Sequence, residues 1–182
     1  MLVLLDRDGV LNEDRTDSVK SPAEYRAITG SAEAVSALNR EGHTVAVVTN
    51  QAVVGRGTID ETMLAQIHKK MQAILDREGA RLDAVLVCTD PPWAATGRRK
   101  PAPGMLIEAM TQFNARAEDT VMIGDARRDL EAAATAGCRS ILVRTGKGRA
   151  TEAAGVPHDV APAAVCDDLA AAVQWLTGPA RG

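Results

Sequence analysis

The chain has 182 residues, 46% hydrophobic and 25% charged, a mix that suits one globular domain with a sizeable core and argues against a disordered or fibrous chain. A formal charge of −3 gives no basic field for DNA or RNA, and aromatic residues at 2% leave no stacking platform for single strands. Cys88, Cys138 and Cys166 are too few and too scattered for a disulfide framework, no apolar run reaches the roughly eighteen residues of a membrane span, and no signal-like segment precedes the first apolar run, so the expectation is a cytoplasmic protein without nucleic-acid or membrane partners.

Leu2–Leu5 is apolar at every position, as a buried parallel strand is, and runs into Asp6-Arg7-Asp8-Gly9. Residues two apart in an extended segment point the same way, so Asp6 and Asp8 can face one small site. The polar stretch 13–29 follows, read either as a cover for that site or as a plain surface loop. Residues 30–41 have helical spacing, with Ala32, Val35 and Leu38 on one face and Gly42 as the stop. Thr44–Thr49 is a second β-branched strand that leads into Asn50-Gln51. Thr58-x-x-Glu61 resembles a capping box, predicting a long helix to about Glu78 with Met63, Ile67, Met71 and Ile74 on its apolar face.

Asp83–Cys88 is the third strand. Residues 89–103 form a loop with Pro91, Pro92, Pro101 and Pro103 and the basic run Arg98-Arg99-Lys100. A short helix over 104–113 and a strand over 120–123 follow, the latter ending at Gly124-Asp125. The Ala-rich stretch 127–136 predicts a helix stopped by Gly137, and 140–143 a fifth strand before the Gly-rich turn Arg144–Gly148. Residues 150–158 read as loop or broken helix, 164–166 as a short edge strand, and 169–176 as the last helix. Strands alternating with helices predict a doubly wound, Rossmann-like parallel sheet with both faces covered. The expected boundaries are one domain over 1–178 and a tail over 179–182.

In such sheets ligands sit beyond the carboxyl ends of the strands. Asp6, Asp8, Thr49, Asn50 and Asp125 fall at or just past such ends, and the third strand leads to Lys100 after a loop. Carboxylates suit Mg²⁺, whereas a hydroxyl, an amide and a lysine suit a phosphate. A metal and a lysine would offset the repulsion between a carboxylate nucleophile and a phosphate dianion.

DRDGVLN, VVTNQ, RRKPAPGM and MIGDARRDLEAAATAG resemble, in order, the four motifs of the haloacid-dehalogenase (HAD) superfamily of phosphohydrolases. TNQ followed by Arg56-Gly57, RKP-x-PGM and the late RTGK are similar to its small-molecule branch, which includes heptose 1,7-bisphosphate 7-phosphatases and histidinol-phosphate phosphatases. The resemblance implies a Mg²⁺-dependent phosphomonoesterase. It makes Asp6 the nucleophile, Asp8 the general acid and base, and Thr49 and Asn50 the phosphoryl contacts, with Lys100 neutralising charge. Asp6, the Asp8 carbonyl and Asp125 are the implied metal ligands. Gln51, Arg56 and Arg99 resemble substrate-contacting positions. Asp129 is either a supporting acid or a carboxylate favoured by its helix N-terminus.

The branch usually carries a zinc loop after the third strand. Residues 88–103 offer Cys88 alone, and Arg98 stands where a ligand cysteine would precede Arg-Lys-Pro, so no zinc is expected. Trp93 either covers the site or shields the prolines. His43, His68 and His158 read as surface or helix residues, and the turn Arg144–Gly148 as a solvent turn or a seat for a distal phosphate. Neither 6–43 nor 50–82 leaves room for an independent cap, so an open site and a monomer acting on a small phosphorylated metabolite are expected. Heptose 1,7-bisphosphate leads as substrate. The alternatives are histidinol phosphate, a polynucleotide 3′-phosphate, and a non-catalytic phosphate-binding module.

Overall fold

A computed structural model describes residues 1–178; the tail expected over 179–182 lies outside the described residues. Six parallel strands form one sheet: β1 (Leu2–Leu5), β2 (Thr44–Asn50), β3 (Ala84–Cys88), β4 (Thr120–Gly124), β5 (Arg139–Val143) and β6 (Ala164–Cys166). Their spatial order is β3-β2-β1-β4-β5-β6. The chain winds outward one way through β2 and β3, then returns to lay β4 on the other side of β1. This reversal opens a crevice at the carboxyl ends of β1 and β4, where open α/β sheets bind ligands. Register aligns Leu5 with Val47 and Ile123, so Asp6, Val48 and Gly124 stand level at that crevice.

Strand alternation sorts the core into two layers. Val3, Leu5, Val45, Val47, Val121 and Ile123 face one side, against α1 (Ser31–Arg40), α3 (Glu61–Arg77) and α7 (Leu169–Thr177). Leu2, Leu4, Ala46, Val48 and Met122 face the other, against α4 (Gly104–Gln112) and α5 (Arg127–Ala136). With so few aromatics, both layers are filled mainly by aliphatic side chains and methionine, with Tyr25 and the three cysteines among them. Among the described residues, no helix is long and apolar enough to cross a membrane.

Two local expectations need correction, and one open reading is settled. The cap of α3 is Asp60, whose carboxylate accepts from the Met63 N–H at 2.7 Å, and not Thr58. A one-turn helix, α2 (Ala52–Gly55), precedes it. The buried stripe of α3 is Leu64, Ile67, Met71 and Leu75, with Met63 and Ile74 at its margins. Residues 150–158 resolve into the end of α6 (Gly148–Ala154) and a 3₁₀ turn beginning at His158.

Candidate active site

Asp6 is the first residue past β1, and its backbone N–H continues the ladder to the Ile123 carbonyl at 3.0 Å. The buried ammonium of Lys100 lies 3.1 Å from Asp6 Oδ1 and 2.7 Å from Asp129 Oδ1, and donates to the Val48 carbonyl at 2.8 Å. Lys100 thus reaches from the proline-rich loop into the strand ends. Asn50 holds it there: its amide donates to the Lys100 carbonyl at 2.9 Å and accepts from the Lys100 N–H at 3.1 Å.

Asp6, Asp125 and Asp129 are buried, and each has a carboxylate oxygen within 4.8 Å of the other two. Burial and the charges of Asp6 and Asp129 push Asp125 up to about 7, against a hydrogen bond from the Lys147 N–H. Burial likewise raises Asp6, opposed by Lys100. Asp129 is held below its ordinary value because Lys100 and Arg128 outweigh the cost of burial. Both readings of Asp129 hold together: it pairs with Lys100, and its Oδ2 accepts from the Ala126 N–H at 3.0 Å at the start of α5. Asp125 Oδ2 accepts from Lys147 N at 2.7 Å, while its Oδ1 is buried without a partner. An unpartnered carboxylate oxygen among three carboxylates suits a hard divalent cation.

Two glycines make this packing possible. Gly9 adopts φ +84°, and a Cβ there would overlap the Asp125 carboxylate. A Cβ on Gly146 would overlap both Asp125 and Gly9. The turn Arg144–Gly148 therefore closes over the site's floor, and Thr145 Oγ1 donates to the Gly9 carbonyl at 2.6 Å. Arg144 itself is committed elsewhere, to Glu152 and Asp167.

Asp8 accepts from Arg7 Nη2 at 2.9 and 3.0 Å, from Asn12 Nδ2 at 2.9 Å and from Gln51 Nε2 at 2.8 Å. Burial pushes this carboxyl up, but the Arg7 guanidinium and the hydrogen bonds outweigh it and hold Asp8 below its ordinary value. Gln51, expected to contact substrate, is buried instead and ties Asp8, Thr49 and Arg7 together. Thr49 is fully buried at the end of β2, with its hydroxyl accepting from Gln51 at 2.9 Å.

Above these groups lies a cleft of about 170 Å³, lined by Asp8, Asn50 and a cationic rim of Arg15, Arg56, Arg99, Arg128 and Lys147. The segment 13–29 contributes Asp14, Arg15, Thr16 and Ser18 to this wall, so it borders the site. Arg98, from the same basic run as Arg99, pairs with Glu108 at 3.1 Å and does not line the cleft. Trp93 is 74% exposed and does not line it. Among the contributors that escaped the sequence reading are Arg128 and His68. Arg128 approaches Asp6 Oδ2 at 3.7 Å; its signal was its place beside Asp129 at the start of α5. His68, read as an ordinary helix residue, meets Arg7 Nη1 at 3.2 Å, and no local pattern marks it.

A HAD-hydrolase-like family model matches residues 97–172. The D-glycero-β-D-manno-heptose-1,7-bisphosphate 7-phosphatase of Bordetella bronchiseptica is 41% identical over 96% of this chain and 97% of its own. That of Neisseria meningitidis is 41% identical over 82% and 80%. A crystal structure of the B. bronchiseptica D,D-heptose 1,7-bisphosphate phosphatase, complexed with magnesium and phosphate, superposes with a TM-score of 0.92 over 96% of this chain and 97% of that one. The Burkholderia thailandensis D,D-heptose 1,7-bisphosphate phosphatase, 38% identical, gives 0.76 over 98% and 99%. With four ordered motifs converging on one carboxylate-lysine cluster and relatives matched over nearly their whole length, the chain belongs to the HAD-like hydrolases, in the group of phosphatases that contains these heptose-bisphosphate enzymes.

Proposed function

We propose that this chain is a Mg²⁺-dependent phosphomonoesterase that removes the 7-phosphate of D-glycero-D-manno-heptose 1,7-bisphosphate. One observation carries the reading: a buried carboxylate, Asp6, lies 3.1 Å from the Lys100 ammonium at the strand ends, close beneath a cleft rimmed by five cations. Such a rim suits a substrate with two phosphates, one reacting at the floor and one held at the mouth.

Asp6 attacks phosphorus, and the bond from phosphorus to the sugar oxygen breaks with its electron pair on that oxygen, which takes a proton from Asp8. Water then attacks the aspartyl-phosphate and gives a proton to Asp8, and the bond to Asp6 breaks, returning its carboxylate. The hydrogen bonds around Asp8 favour its ionised form, which the second step uses. The negative charge of bound substrate raises its proton affinity for the first. Asp6 and Asp125, with the Asp8 carbonyl, would hold Mg²⁺, which supplies charge neutralisation to the phosphoryl group. Lys100 supplies fixed positive charge to that same group, and Thr49 and Asn50 border its seat. Arg56 and Arg99, joined by Arg15, take the distal phosphate. The enzyme acts as a cytoplasmic monomer, without zinc.

Asp6→Asn tests the reading. Turnover should vanish with the fold retained, since a neutral amide is not a nucleophile towards phosphorus; activity within tenfold of the wild type would refute the assignment.

A further inference from the structure

Arg7 is fully buried between the two aspartates of the first strand end, where an uncompensated guanidinium is costly. Its donors are therefore all informative. Nη2 serves Asp8 and Gln51, and Nε reaches Asp8 Oδ1 at 3.3 Å. The hydrogen bond made by Nη1 goes to His68 Nε2, sixty-one residues along the chain in the middle of α3. Arginine is always a donor, so His68 must accept through an unprotonated Nε2, with its proton on Nδ1. Burial and the Arg7 charge push the His68 ring down to about 4, so it is neutral near pH 7.

The guanidinium is thus clamped at one end by an imidazole and at the other by Asp8. We infer that His68 is a positioning residue for the proton-transfer step, acting through Arg7 to fix the orientation of the Asp8 carboxyl. This rests on the reading of Asp8 as the acid and base. A rigid helix residue suits the task, because α3 is anchored to the core by Leu64, Ile67, Met71 and Leu75. The buried Leu64-to-Leu75 face fixes the backbone of His68, and His68 holds the one terminal nitrogen of Arg7 that faces away from Asp8.

The inference separates leaving groups. A sugar alkoxide needs its proton from Asp8 as the bond breaks, whereas p-nitrophenolate leaves without one. His68→Leu, which keeps bulk and removes the acceptor, should lower the single-turnover rate of alcohol release from a sugar phosphate about tenfold and change that of p-nitrophenolate release less than about twofold; both rates report the first step alone, before Asp8 serves as base to water. His68→Gln, whose amide oxygen can accept from Arg7, should recover most of the loss. Asp8→Asn, measured alongside, should show the same preference more strongly. Equal losses on both esters in His68→Leu, beside a selective loss in Asp8→Asn, would overturn the positioning role while leaving the acid assignment standing. Equal losses in Asp8→Asn would overturn both. If His68→Leu does not fold, the ratio of the two first-step rates in His68→Gln against His68→Asn decides: the shorter Asn should lose selectively on the sugar phosphate, and matching ratios would refute the role.

Discussion

Lys100 and Asp129 form a fully buried ion pair at 2.7 Å, and the same ammonium lies 3.1 Å from Asp6. Asp129 thereby aims a charge that Asp6 alone would leave freer to move. Asp129→Asn should keep the hydrogen bond from Ala126 N–H through its amide oxygen but leave Lys100 with a single carboxylate. A loss of at least about tenfold in kcat is expected. Breaking a buried pair typically costs about 3 to 5 kcal/mol, so the melting temperature should fall as well. Steady-state kinetics and thermal unfolding check both; unchanged values of each would remove Asp129 from the site's support.

Metal binding should be strongly pH-dependent. Asp125 is raised to about 7 from an ordinary 3.8, so between those two values the metal-free protein holds a proton there that the unfolded chain has lost. This carboxyl's contribution to metal-free stability is full below 3.8 and is lost as pH rises through about 7. Mg²⁺ must displace that proton, so its apparent affinity should weaken steadily as pH falls from 8 to 6, with proton release on binding. Calorimetric Mg²⁺ titrations in buffers of different ionisation enthalpy measure both quantities. An affinity independent of pH across that range would count against Asp125 as a ligand.

The cationic rim predicts selectivity by charge. A bisphosphate should exceed the matching monophosphate in kcat/KM, and the advantage should shrink as salt is added. Arg99→Ala and Arg15→Ala should raise KM for the bisphosphate more than for the monophosphate. Arg98→Ala is the internal control, since Arg98 pairs with Glu108 outside the cleft. An equal effect of all three substitutions would show that general surface charge is responsible.

Much of this was legible in the chain. Apolar runs such as Leu2–Leu5 and Thr44–Thr49 carry their own strand signal, and the polar residues that end them mark the functional edge once the sheet is parallel. The individual partners were less legible. Gln51 resembles a substrate-contacting position because it follows a strand end, yet it lies buried where the short helix α2 begins. Thr58 and Asp60 both suit a cap, and local geometry chose the nearer. His68 was invisible because its significance lies in a side chain sixty-one positions away. Arg98 and Arg99 are adjacent and chemically equal, and only the fold of the loop separates them.

The loop over 88–103 gives a further expectation. It holds Cys88 as its one thiol, with no histidine, and Thr96 and Asp90 close it by hydrogen bonds of 2.8 and 2.6 Å. We predict no tightly bound zinc and a melting temperature indifferent to zinc-selective chelation. Elemental analysis of protein purified without added zinc checks this; one equivalent per chain, with unfolding on its removal, would contradict it.

The most direct measurement follows the two phosphorus signals of D-glycero-D-manno-heptose 1,7-bisphosphate by NMR during turnover with Mg²⁺, beside histidinol phosphate and a 3′-phosphorylated oligonucleotide at equal concentration. The account predicts loss of the 7-phosphate signal, growth of inorganic phosphate and retention of the 1-phosphate, with the other two substrates turning over far more slowly. Release of the 1-phosphate, or faster hydrolysis of histidinol phosphate, would contradict it.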